Sequence, residues 1–108
     1  MTRVVEVPAQ LDDKTFDQFA RAFASGESGE GRLLVDAHAA QWASPYGLVG
    51  LLAAGQALAA QKQEKPLFTV PADRDVAHYW ARAGFFKHAA EWFELHGKVP
   101  RVAAAAGA

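Results

Sequence analysis

The residue types best suited to chemistry lie close together in this chain, between positions 36 and 47. Asp36, His38 and Ser44 are the acid, base and hydroxyl of a hydrolase triad. A serine nucleophile of that class stands on a G-x-S-x-G turn, whereas Ser44 precedes a proline. We therefore keep a hydrolase that uses Ser44 only as an alternative, and we expect the protein not to be an enzyme. Asp36 is better explained as a strand-end residue that hydrogen-bonds loop amides.

The histidines could hold a metal ion if their spacing suited one. They stand at positions 38, 78, 88 and 96, so no two are separated by the four residues that place two ligands on one helix face. The chain contains no cysteine, which removes thiolate ligands, disulfides and a cysteine nucleophile. The glycines at 47, 50 and 55 do not have the spacing of a nucleotide-binding loop. We expect neither a metal nor a cofactor.

The composition narrows the class of protein. A chain of 108 residues is long enough for one hydrophobic core. Its net charge is −1 and its basic residues are scattered among acidic ones, so we expect no nucleic-acid partner. No apolar run approaches the roughly 18 residues of a membrane span, and the amino terminus lacks the core of a signal peptide. These observations predict a cytoplasmic protein that does not insert into membranes.

The first elements are a strand and a helix with an aromatic face. Residues 4–7 are mostly β-branched and predict a strand near a sheet edge. Either Asp12 or Asp13 can cap the helix that follows, and Ser25-Gly26 is predicted to end it. Residues 27–31 are polar and glycine-rich, which predicts a mobile surface connection. Four apolar residues of this helix share the face expected to enter the core: Phe16, Phe19, Ala20 and Phe23.

The central part of the chain is predicted to be a buried strand, a loop and a helix. Leu33–Asp36 lacks polar alternation, which predicts a strand covered on both faces and hence an α/β protein. Residues 38–43 fit no period, although Trp42 is large enough to favour burial. Ser44 and Pro45 are the preferred N-cap and first residue of a helix. The three glycines of that helix indicate close packing, which we expect to be against the sheet.

The last elements complete one domain. Residues 67–70 predict a third strand, and Asp73 can cap a further helix that ends at Gly84. Residues 87–95 fit a short helix or a fourth strand equally well. We therefore predict a single α/β domain over residues 1–97, with a mixed sheet of about four strands and helices packed against it. Residues 98–108 are predicted to be a flexible C-terminal tail.

In their order, these elements resemble the STAS domain, the fold of bacterial anti-sigma factor antagonists. Leu11-Asp12 is similar to the Gly-x-Leu-Asp that leads into the family's first helix, and Val35-Asp36 to its strand-ending hydrophobic-aspartate pair. Ser44-Pro45-Tyr46-Gly47 falls where the family has Asp-Ser-Ser-Gly. The resemblance covers roughly residues 4–95. Two further segments carry it, one like the family's Gly-Leu-x-x-Leu-Leu and one like its helix-ending Gly-Leu: Gly47-Leu48 with Leu51-Leu52, and Ala83-Gly84-Phe85.

The chain departs from this family at the phosphate acceptor. In the phosphoregulated antagonists, the serine immediately before the glycine accepts a phosphate from a partner kinase, and Tyr46 occupies that position here. A phenol presents its oxygen several ångströms further out, so we do not expect a serine kinase to use Tyr46. Ser44 remains an alternative hydroxyl acceptor on the same loop. Tyr46 itself is either a half-buried ring that closes over the sheet edge or an exposed anchor for a partner.

The resemblance implies a non-catalytic regulatory protein-binding module that acts in signal transduction and transcription regulation. The implied partner is a histidine-kinase-like ATPase that serves as an anti-sigma factor. One alternative is a small STAS accessory subunit of a lipid-transport ABC system, and another is a homodimer formed through sheet or helix surfaces. The residues implied to contact the partner are Asp36, Ser44, Pro45, Tyr46, Gly47 and Leu48.

Overall fold

A parallel four-stranded sheet lies at the centre of the computed structural model, which describes residues 3–27, 31–62 and 64–100. Its strands are β1 (Arg3–Glu6), β3 (Leu33–Asp36), β5 (Leu67–Thr69) and β6 (Glu94–His96), in the order β1-β3-β5-β6. Two short strands, β2 (Gln10–Leu11) and β4 (Trp42–Ala43), pair separately. The helices are α1 (Asp13–Glu27), α2 (Pro45–Lys62), α3 (Arg74–Arg82) and α4 (Phe85–Trp92).

The predicted α/β class is confirmed, with four strands in the main sheet and helices packed on it. The strand pairings described are all parallel rather than mixed. The reason is that at least one helix separates each strand of the main sheet from the next one along the chain. Each of these connections returns the chain to the same end of the sheet, as parallel pairing requires. None of the helices in the described ranges combines the length and apolar character needed to cross a bilayer.

Among the described residues, only one face of the sheet is well covered, contrary to the prediction for β3. Val5, Val35 and Phe68 lie side by side in register and are buried. On the opposite face, Leu34 is only partly buried and its neighbour Val4 is 56% exposed. The uniformly apolar sequence of β3 therefore did not mean that both faces of the sheet are covered.

An aromatic cluster joins the covered face to α3 and α4. Phe68 of β5 lies with its ring centre 5.0 Å from that of Phe93 and 5.5 Å from that of Phe85. Phe85 also packs edge-on against the buried Trp80 at 5.2 Å. Such tilted and edge-on contacts are the geometries that aromatic rings favour.

Residues 87–95, which fitted a helix or a strand, contain the end of α4 and the start of β6.

One boundary prediction differs from the structure and another agrees with it. α1 runs to Glu27 instead of ending at Ser25-Gly26, because a glycine costs only about 1 kcal/mol in a helix and does not by itself stop one. The side chain of Phe23, the loop residues 28–30 and residues 101–108 of the predicted tail lie outside the described residues. At the end of α3, Gly84 has the expected left-handed backbone, with a φ of 85°.

Candidate protein-binding surface

Asp36 organises the loop that leaves β3. Its carboxylate accepts a hydrogen bond from the backbone N–H of His38 at 3.0 Å, and both of its oxygens lie 2.9 Å from Nδ1 of the same histidine. The prediction that Asp36 binds a loop amide is confirmed. A turn follows, in which the Ala40 N–H donates to the Ala37 carbonyl. Asp36 therefore shapes the loop from within, and its side chain is only 17% exposed.

The backbone of residues 9–11 holds the rest of this loop. Gln41 N–H and Trp42 N–H both donate to the Ala9 carbonyl, at 2.7 and 2.9 Å. Ser44 N–H then donates to the Leu11 carbonyl at 2.8 Å, beside the β2–β4 pairing. Because these bonds join main chain to main chain, they leave no pattern in side-chain types. Residues 38–43 therefore fitted no predicted element.

Ser44 caps α2, as predicted. Its Oγ accepts a hydrogen bond from Gly47 N–H at 3.1 Å, and its carbonyl accepts one from Leu48 N–H. Pro45 follows as the first helical residue. In the part of the chain that the structure describes, the hydroxyl makes no hydrogen bond to His38, whose ring faces Asp36 instead. The three residues of the considered triad are therefore not assembled as one.

Gly47 and Leu48 lie on the inner side of α2. A Cβ at Gly47 would stand 2.7 Å from Leu11 Cγ and 2.8 Å from the Leu11 carbonyl oxygen, so no side chain fits there. The expectation that the sheet packs against the helix glycines is wrong in detail. The corresponding neighbours of Gly50 and Gly55 are the rings of Phe16 and Phe93. Gly47 therefore allows α2 to pack closely against Leu11, and Leu48 is buried beside it.

The hydrogen bonds at the start of α1 fix the position of Leu11, against which Gly47 packs. Asp12 caps α1 by accepting from Lys14 N–H and Thr15 N–H, and Asp12 N–H donates back to the Thr15 hydroxyl. The hydrogen bond from Thr15 N–H, aided by that from Lys14, lowers the pKa of the Asp12 carboxyl below its ordinary value. The Thr15 hydroxyl also donates to the Gln10 carbonyl, next to Leu11.

Four apolar side chains are exposed around the start of α2, and we call them the α2 surface: Trp42, Pro45, Tyr46 and Val49. Tyr46 is 59% exposed, and its ring meets Phe16 edge-on with centres 5.8 Å apart. Its ring is therefore exposed rather than half-buried, and its role as an anchor for a partner stays a prediction. The expected burial of Trp42 is wrong, since it is 49% exposed. Val49 is 64% exposed and was not among the predicted contact residues.

An apolar groove adjoins this surface. It has a volume of about 240 Å³ and lies between α2 and the corner where α3 meets α4. No Asp, Glu, Lys or Arg lines it in the part of the chain that the structure describes. The residues that line it are Pro45, Leu48, Val49, Leu52, Ala83, Gly84, Phe85 and His88. Such a groove suits an apolar side chain of a partner rather than a charged one.

The missing charges extend along α2 and could have been read from the sequence. Residues 45–61 contain no Asp, Glu, Lys or Arg. Beyond Val49 the exposed positions of this helix are alanines and glutamines, which are not charged: Ala53, Gln56, Ala57, Ala60 and Gln61. A helix side that faces water normally carries charged residues. The absence of charge on the exposed side of α2 is thus a sequence signal for this surface, and the predicted contact residues did not make use of it.

The histidines do not assemble into a metal site in the described ranges. No group of three or more His, Asp or Glu side chains there is arranged to hold an ion. His38 is paired with Asp36, and His96 lies 3.2 Å from Glu94.

Comparison with family models, curated proteins and solved structures finds no match for this chain.

Proposed function

We propose that this protein is a non-catalytic binding module that docks a protein partner on the α2 surface. The observation that carries the proposal is the exposure of Trp42, Tyr46 and Val49 around an uncharged helix start. Exposed aromatic residues next to an apolar groove are typical of the centres of protein interfaces. Asp36, Ser44 and Gly47 contribute indirectly, because they hold the loop and the helix start in place.

For the partner, we propose a histidine-kinase-like ATPase that acts as an anti-sigma factor. The support is the STAS resemblance, together with the elements on which its motifs lie. Val35-Asp36 ends β3, Ser44 to Gly47 begins α2, and Ala83-Gly84 ends α3. A regulatory loop at the carboxyl end of a buried strand, leading into a helix, is the arrangement that the resemblance implies.

Binding by this module should not depend on phosphate at the loop. Tyr46 stands at the acceptor position, and its exposed ring is better suited to direct contact with a partner than to phosphorylation by a serine kinase. The Ser44 hydroxyl already accepts the hydrogen bond that caps α2. We therefore propose a constitutive binder, in which Tyr46 replaces the phosphoserine switch by a permanent aromatic contact.

The test is isothermal titration of the purified protein with a histidine-kinase-like ATPase from the same genome, with and without ATP. Tyr46→Ala should weaken binding about tenfold, which is about 1.4 kcal/mol. Tyr79→Ala is the matched control, since Tyr79 is also exposed but lies on α3, and it should bind like the parent. Mass spectrometry after incubation with ATP should find no phosphate on Tyr46, and stoichiometric labelling there would contradict the proposal. Binding to a lipid-transport ABC ATPase instead would favour the accessory-subunit alternative.

A further inference from the structure

A second concave site lies away from the α2 surface, at the edge of the sheet where β5 and β6 end and α3 begins. It is a cleft of about 590 Å³, within the range of about 300–1,000 Å³ that is usual for small-molecule sites. It shares no lining residue with the apolar groove. The residues that line it are Pro71, Ala72, Arg74, Ala77, His78, Lys98, Val99 and Pro100.

The chain on both sides of this cleft is held by backbone contacts. Val70 N–H donates to the His96 carbonyl at 2.9 Å, which extends the β5–β6 pairing to the rim of the cleft. Gly97 then turns the chain with a φ of 111°, a value that side chains other than hydrogen rarely allow. This turn brings Lys98 beside the start of α3. On the other side, Ala72 N–H donates to the His38 carbonyl at 3.0 Å.

Among the residues that the structure describes, the cleft is lined by basic side chains and by no carboxylate. Arg74, His78 and Lys98 contribute its ionisable groups. Within the described ranges, none of the three makes a hydrogen bond or an ion pair through its side chain. Arg32 shows the contrast, because its guanidinium donates twice to the Lys65 carbonyl and lies near two glutamates. In these ranges a bound anion would therefore not have to displace another partner from the basic groups of the cleft.

The two aspartates next to Arg74 in the chain do not neutralise the cleft from inside. Asp73 and Asp75 are not among its lining residues. The Asp73 carboxylate is directed to the end of α3, where it accepts from Asp75 N–H at 2.8 Å and from Val76 N–H at 3.2 Å. This cap fixes the first turn of α3 and with it the position of Arg74.

We propose that this cleft binds a small organic anion. Its phosphate or carboxylate group lies between Arg74 and Lys98, where a guanidinium fork and an ammonium provide charge-assisted hydrogen bonds. Its apolar body lies against Pro71, Ala77 and Val99, since the remaining lining residues are prolines, alanines and a valine. The site is separate from partner binding, so it stands or falls independently of the proposed function.

NMR titration of the full chain at low salt tests this with four probes that vary the charge and the body separately. They are 1-naphthyl phosphate, 1-naphthoate, inorganic phosphate and the neutral 1-naphthalenemethanol. We expect the naphthyl anions to bind at least tenfold more tightly than inorganic phosphate or the neutral alcohol, and to shift the amide signals of Ala72, Ala77 and Val99. The tighter of the two naphthyl anions identifies the preferred acidic group.

A matched pair of double variants identifies the residues responsible. Arg74→Gln with Lys98→Gln should weaken binding of the tighter naphthyl anion at least tenfold. Arg82→Gln with Lys87→Gln removes the same charge from exposed positions outside the cleft and should leave binding within about twofold. Equal losses in the two variants would overturn the proposal, as would equal affinity for the neutral alcohol. Shifts confined to Tyr46 and Val49, or no binding of any probe at millimolar concentration, would also overturn it.

Discussion

Two of the regions that expose apolar side chains, the sheet face and α2, differ in the charges around them. On the uncovered face of the sheet, Val4, Leu34 and Leu67 lie in one register row that ends at Glu94. At the edge of this row Arg32 lies 3.3 Å from Glu94 and 3.4 Å from Glu64. On α2, by contrast, no charged side chain occurs from Pro45 to Gln61.

We propose that this difference separates a solvent-facing surface from a docking surface. Charged side chains on an exposed sheet face oppose association with another apolar surface, because burying them would cost free energy. The α2 surface has no such protection, and an uncovered apolar helix face is unfavourable in water. We infer that the sheet face is kept for solvent and that the α2 surface is the one covered by a partner.

The largest effect is expected from Gly47→Val, which disrupts the close packing of α2 against Leu11. The new side chain would collide with Leu11, including its carbonyl oxygen, which cannot move as a side chain can. We expect a loss of about 1–3 kcal/mol in the free energy of unfolding, measured by urea denaturation. Ala53→Val on the exposed side of the same helix is the control and should cost well under 1 kcal/mol. Equal costs at the two positions would show that α2 is not seated on Leu11.

A smaller loss is expected from Ser44→Ala, which removes the cap of α2. Because Gly47 N–H loses its acceptor, the free energy of unfolding should fall by about 1 kcal/mol. Ser44→Asp should restore most of it, since aspartate is also a good N-cap. An unchanged Ser44→Ala protein in denaturant titrations would contradict the capping role. Loss of a hydrolytic activity in this variant would favour the enzyme alternative.

These two predictions also show what local sequence can specify. Ser44 and Pro45 signal a helix start because capping depends on residues within one turn, and the structure agrees. The glycines at 47, 50 and 55 correctly indicated close packing, but their neighbours Leu11, Phe16 and Phe93 come from distant parts of the chain. A local pattern indicates that a position is closely packed, but the tertiary fold determines which residue packs against it.

The remaining differences have the same origin. Trp42 is placed by backbone hydrogen bonds to Ala9, so its exposure could not be deduced from its size. The apolar run of β3 does not show which sheet face the helices cover, because that depends on how the connections pack. The chemistry of the α2 surface was visible in the sequence as the absence of charge from residue 45 to residue 61.

On the sheet face, Arg32→Gln should have an effect of about 1 kcal/mol or less on unfolding. The Arg32 side chain is one-third exposed, and exposed ion pairs contribute little. The loss should shrink further when salt is raised from about 0.05 M to 0.5 M. The variant should stay monomeric by light scattering, because Glu94 and Glu64 still border the face. A large loss that does not respond to salt would show that the hydrogen bonds from Arg32 to the Lys65 carbonyl, rather than its ion pairs, dominate its contribution.

The smallest effect is expected from Asp12→Asn, and it appears only in acid. The folded-state pKa of Asp12 is lowered from the ordinary 3.8, so its contribution is present above that value and is lost as pH falls through the lowered pKa. Asparagine caps equally well and does not titrate. Between pH 6 and about pH 2.5, the melting temperature of the parent should therefore fall relative to the variant. A constant difference across this range would contradict the capping role of the carboxylate.

The comparison of the two regions is tested most directly by placing the same charge in each. Val49→Asp on α2 and Val4→Asp on the sheet face both replace a valine that is more than half exposed. Titrated with the histidine-kinase-like ATPase, the Val49 variant should bind at least tenfold more weakly, a loss of about 1.4 kcal/mol or more, because a carboxylate would be buried unpaired. The Val4 variant should bind like the parent. Equal affinity for both variants, or a greater loss at Val4, would contradict the assignment of α2 as the docking surface.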